Sequence, residues 1–129
     1  MSQASQTIRT PNALQQSNTE IENDAAVQSY FEALEDADCR AILNATTDVS
    51  LSASEISEHL DIPLSSTYRK LELLTDAGLL AESVRLRQSG KHTNEFTRDV
   101  GDVTVAIEAD RGVVLHVSDH ETGFSATAD

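Results

Sequence analysis

Residues 52–80 read SASEISEHLDIPLSSTYRKLELLTDAGLL, and this stretch restricts the fold more than any other. Ser52 with Glu55 three residues later fits a capping box, in which each side chain satisfies a free backbone N–H of the first helical turn. Ala53, Ile56 and Leu60 then share one face, which predicts a short helix ending at Asp61-Ile62-Pro63, where proline blocks continuation. A second helix is expected over about 64–77, with Gly78 as its left-handed C-cap. Leu64, Tyr68, Leu71 and Leu74 fall within about 120° of arc and form its expected buried stripe. Ser65, Ser66, Arg69, Leu73 and Asp76 face the other way, with Lys70 on the flank.

The rest of the chain fits around this pair. With 129 residues a single domain is expected. The chain has five Phe and Tyr residues and no Trp, so its core must come mainly from Leu, Ile, Val and Ala. Residues 1–23, rich in Gln, Ser, Asn and Thr, read as a disordered tail. Over 24–47 the apolar residues Val27, Phe31, Leu34, Ala41, Ile42 and Ala45 recur near helical spacing, interrupted by the acidic cluster Glu35 to Asp38. After Leu80 the period changes to two. SVRLRQ and EFTRDV form a hairpin with Gly90, Lys91, His92, Thr93 and Asn94 at its tip, and VTVAIE and VVLHVS form two more strands across the turn ADRG. In those strands Val103, Val105, Ile107, Val113, Leu115 and Val117 are expected to face inward. The domain spans 24–118, and 119–129 reads as a flexible tail. The fold class is α+β, with three to four helices, a β-wing hairpin and additional C-terminal strands.

Charge is distributed unevenly. The chain holds 22 acidic and nine basic residues, a net charge of −13. Residues 64–98 nevertheless carry six basic and four acidic residues, so one segment escapes the acidic bias, as a local anion-binding surface requires.

The order of helix, tight turn, amphipathic helix and basic hairpin is that of a winged helix-turn-helix. EALEDADCRAILNAT and the stretch from SASEISEHL to AGLL resemble ArsR-like winged-helix transcription regulators, in particular the small type found in halophilic archaea. The likeness covers about residues 28–100, and the acidic, lysine-poor composition resembles that of proteins from salt-loving cells. It implies a sequence-specific regulator that binds double-stranded DNA. A homodimer is expected because one recognition helix reads only a few base pairs and a two-fold operator doubles that. A cytoplasmic setting is expected because the N-terminus has no apolar stretch of signal-peptide length. The recognition helix, about 64–77, would enter the major groove, and the wing, about 83–98, would lie on the backbone. The positions carried over are Ser65, Ser66, Thr67, Arg69 and Lys70 on the helix, and Arg85, Arg87, Lys91, His92 and Thr93 on the wing. Arg69 is the candidate for base readout, because a guanidinium pairs bidentately with guanine.

Other functions find less support. No G-x-S-x-G, P-loop, H-E-x-x-H or Gly-rich dinucleotide signature occurs, so no enzyme is expected. The lone Cys39 makes no disulfide or metal pair within the chain and is expected to be a small buried residue of a reducing, intracellular setting. His59, His92, His116 and His120 are scattered, so neither metal nor cofactor is expected. No run of 18 apolar residues occurs, so no membrane association is expected. The alternative is a winged-helix module for protein–protein interaction with the transcription machinery. Its mark would be an exposed apolar patch near Leu73 or on the C-terminal hairpin, with the basic wing withdrawn.

Overall fold

Each helix begins where its sequence provides a start. In the computed structural model, which describes residues 18–86 and 88–120, α1 (Asp24–Leu34) starts after Asn23, whose side chain accepts from the Ala26 N–H. The acidic cluster does divide the segment: Asp36 caps α2 (Ala37–Ala45) by accepting from the Cys39 N–H. Ser52 and Glu55 form the full capping box at the start of α3 (Ala53–Leu60). Asp61 closes α3 with φ 59°, and α4 (Leu64–Ala77) ends at Gly78 with φ 90°. A Cβ at position 78 would meet nothing within 4 Å, so alanine there is strained only by its backbone. Gly78→Ala is therefore expected to cost about 1–2 kcal/mol of stability, read from the urea midpoint.

Among the described residues six strands make two antiparallel sheets. One has the order β1 (Asn18–Ile21), β6 (Gly112–Asp119), β5 (Val100–Glu108). The other runs β2 (Leu51–Ser52), β4 (His92–Arg98), β3 (Leu80–Leu86). The helices and both sheets share one core. Ala33, Cys39, Ile42, Ile56, Leu74, Leu79 and Leu115 are completely buried in it. Arg98 and His120 join the C-terminal hairpin to the end of α2. The Arg98 guanidinium donates to the Val100 and Gly101 carbonyls and to the Thr47 hydroxyl, and His120 Nε2 lies 2.6 Å from the Thr47 carbonyl.

Several expectations are corrected. Residues 18–21, assigned to the tail, form β1, which pairs with β6 from Asn18↔Ser118 to Ile21↔Leu115. Residues 1–17 and 121–129 lie outside the described residues. Arg111 secures β1 by bonding Glu20 and Glu108 and lying 3.6 Å from Glu22, a pairing no local periodicity announces. On α4, Tyr68 is 56% and Leu64 43% exposed, while Thr67 is fully buried with Leu71 and Leu74. The buried face is thus turned toward Thr67 and Lys70, which leaves Leu64 and Tyr68 on the rim nearer the wing. In the last hairpin Leu115 and Val117 are buried, and Val103 and Val113 are partly so, as expected. Val105 and Ile107, expected to face inward, are exposed. Val114, on the opposite face, is completely buried on the side that carries Glu20, Glu108 and His116.

Candidate nucleic-acid interface

The start of α4 differs from the starts of α1, α2 and α3. α1, α2 and α3 each have a side-chain cap and an acidic residue in the first turn: Asp24, Asp38 and Glu55. α4 begins after Pro63 with no side-chain cap and no acidic residue in its first turn. Its leading backbone N–H groups and the positive end of its dipole are left without a carboxylate, a local preference for anions. Ser65 is exposed and Ser66 half-buried at this end, and Arg69 is exposed one turn further on. Arg69 forms no hydrogen bond or ion pair among the described residues. Tyr68 beside it presents an aromatic ring to solvent, a surface residue that the apolar pattern had placed in the core.

Two of the expected helix contacts are engaged elsewhere. Thr67 is completely buried and its hydroxyl donates to the Pro63 carbonyl at 3.0 Å, so it holds the first turn together and offers nothing outward. Lys70 is largely buried, at 16% side-chain exposure, and its ammonium donates to Asp36 Oδ2. The bond from Lys70 is the main reason the Asp36 carboxyl lies below its ordinary pKa. Asp36 therefore serves both the cap of α2 and the tether of α4. An Asp at the junction of two helices was the sequence signal for the cap; its second partner was not readable.

The wing is similarly divided. Arg85 Nε donates to Glu95 at 2.7 Å, Nη1 and Nη2 donate to Glu55 at 3.2 and 3.1 Å, and Nη2 reaches the Ser50 carbonyl at 3.4 Å. Its charge is matched by two carboxylates of the protein, while its side chain stays 31% exposed. Arg87 lies outside the described residues. Lys91 is exposed, and among the described residues its backbone N–H donates to the Ser89 hydroxyl at 3.4 Å while its ammonium forms no ion pair. His92 and Thr93 belong to β4 and not to the hairpin tip, opposite Leu86 and Arg85. Together with Tyr68, Glu72, Asp76 and Glu82 they line a groove of about 550 Å³ between α4 and the wing. Its three carboxylates make the groove itself unsuited to phosphate.

The Arg85 bonds also set an acid response. They are the largest cause holding the Glu55 carboxyl at about 2, below its ordinary 4.5, with the Ser52 N–H next. A lowered folded-state value means that the carboxylate's contribution to stability is complete above about pH 4.5 and is lost as pH falls toward 2. Glu55→Gln is expected to lower the urea midpoint modestly at pH 7 and to flatten its decline between pH 4.5 and the low end of that window. A parallel decline in mutant and wild type would exclude Glu55 as its source.

Residues 34–83 match the family model of a helix-turn-helix domain. The match runs from the last residue of α1 through α2, α3 and α4 into β3, so the chain contains a helix-turn-helix domain. No curated protein and no solved structure matches the chain. No described helix is long and apolar enough to cross a membrane.

Proposed function

We propose that the chain is a sequence-specific, DNA-binding transcription regulator of the cytoplasm, acting as a homodimer, with α4 in the major groove and the wing on the backbone. The observation that carries this reading is the uncapped, carboxylate-free start of α4 with exposed Ser65 and Arg69 on it, in a matched helix-turn-helix. Ser65 and Ser66 allow close approach to phosphates or base edges, Arg69 reads a base, and Lys91, His92 and Thr93 position the wing. Thr67, Lys70 and Arg85 support this surface from within.

The acidic composition fits a salt-rich cytoplasm. At molar salt the Debye length falls to about 3 Å and counterion release contributes little, so binding leans on direct contacts and shape. A small set of accessible cations suits that regime. The test is a fluorescence-anisotropy titration in molar KCl against fragments upstream of the protein's own gene, with unlabelled random DNA as competitor. Saturable binding that survives the competitor is expected, and none on any fragment would count against the reading. Lys91→Ala is expected to weaken binding about equally on all sequences and to reduce the salt slope by about 1.

The protein-interaction reading is favoured by one specific observation: Val105 and Ile107 are exposed on the C-terminal hairpin while Arg85 is withdrawn into ion pairs. A regulator that dimerises through this hairpin accounts for the same apolar surface.

A further inference from the structure

The geometry points to β5 as the homodimer contact, two copies joining edge to edge through antiparallel β5 strands. In the sheet order β1-β6-β5 the outer side of β5 has no neighbour among the described residues. An open edge invites another strand, and monomeric proteins commonly block it with charge or shortness. The other edges are blocked in this way: β1 carries Glu20, β3 carries Glu82 and Arg85, and β2 is two residues long. β5 carries charge only at Asp102 and Glu108, and the five residues between them, Val103-Thr104-Val105-Ala106-Ile107, contain no charge and no proline, in a chain with 31 charged residues among 129. On its core-side face Ile107 is 83% and Val105 50% exposed.

Charge selects a second copy as the occupant. In salt that screens charges beyond about 3 Å, only carboxylates standing at the contact itself oppose the approach of two acidic copies. Residues 103–107 form a stretch without any, bounded by Asp102 and Glu108. A basic partner would call for carboxylates at the contact, and this stretch offers none.

Charge also selects the register. Placing Val105 opposite itself sets Asp102 against Glu108 of the second copy, a like-charge opposition that destabilises strand pairs. A two-fold axis at Thr104 sets Ile107 against Gly101, inside the irregularity between Val100 and Val103. An axis at Ala106 sets Val105 against Ile107 and Thr104 against Glu108, and it moves the position opposite Asp102 to Asp110, in the turn beyond the end of the strand. The two sheets then become one of six strands, and the exposed apolar residues cover one another.

This inference rests on the homodimer of the proposed function, and its test contains no DNA, so its failure leaves DNA binding to be judged separately. Sedimentation of the full chain in molar KCl is expected to give twice the 14.0 kDa chain mass. Ile107→Glu is expected to return the mass to that of a single chain with unchanged circular dichroism, since Ile107 is not needed by the core. Leu86→Glu, at the other strongly exposed apolar position (74%), should remain dimeric. Mild oxidation should cross-link Ala106→Cys more efficiently than Val105→Cys; Cys39, completely buried, does not compete. A monomeric wild type would overturn the proposal and assign the edge to a tail of this chain or to another protein. A dimer that survives Ile107→Glu, a dimer lost with Leu86→Glu, or stronger cross-linking at position 105 would also overturn it.

Discussion

Replacing Arg69 with alanine is expected to weaken binding to a specific DNA fragment by about 1–3 kcal/mol, roughly 5- to 150-fold, and to relax discrimination at the base it reads. The effect should be confined to binding. Arg69 is exposed and makes no hydrogen bond or ion pair among the described residues, so thermal unfolding should shift by no more than an ordinary surface substitution, within about 0.5 kcal/mol. Anisotropy titrations on a cognate fragment and on base-substituted variants of it measure both parts. Equal loss on every fragment would make Arg69 a phosphate contact, and no loss would remove it from the interface. The neighbouring Lys70→Ala should behave in the opposite way. It breaks the link to Asp36 and so loosens α4 from the cap of α2, lowering stability first and binding only through it.

Leu74→Ala is expected to have the largest effect on stability. The side chain is completely buried in the middle of the core, and truncations of this kind cost about 2–5 kcal/mol through lost burial and the cavity left behind. Against the roughly 5–15 kcal/mol that holds a small domain together, this is a large share. Its backbone carbonyl receives the Leu79 N–H at 2.9 Å, so the same residue anchors both the packing of α4 and the turn at Gly78. A urea titration should show a large fall in midpoint with the slope retained. Tyr68→Ala provides the contrast. The apolar spacing puts Tyr68 and Leu74 on one stripe, but with 56% of Tyr68 exposed its truncation should be nearly neutral for stability. Comparable losses at the two positions would place Tyr68 in the core after all.

These two residues also show how far the sequence could be read. Elements with a local cause were legible: the Ser52–Glu55 box, the stop at Pro63, the Gly78 cap and the alternation of the strands each depend on residues only a few positions apart. The rotation of α4 was not, because the core took Thr67, a polar residue whose hydroxyl is satisfied by its own helix at the Pro63 carbonyl. Hydrophobicity alone ranks Tyr68 above Thr67 for burial. β1 was missed for a related reason. Its four residues, Asn-Thr-Glu-Ile, gain their order from β6 and from Arg111, about 90 positions away in the chain. The basic residues of the candidate site could be counted but not assigned. Whether a cation faces solvent or a carboxylate depends on long-range pairs such as Lys70 with Asp36 and Arg85 with Glu55. Arg69 kept its place because it forms no ion pair among the described residues.

Arg85 has a consequence beyond its charge. One guanidinium holds Glu55 in the cap of α3 and Glu95 on the wing, and α3 leads through a single tight turn into α4. The wing is thereby preorganised at a set distance and angle from the helix beside it. A duplex that engages both elements as proposed meets a wing already tied to α3, so less ordering entropy remains to be lost by the protein on binding. The adjustment then falls to the nucleic acid, so a fragment whose groove width and bend already match that spacing is favoured before any base is touched.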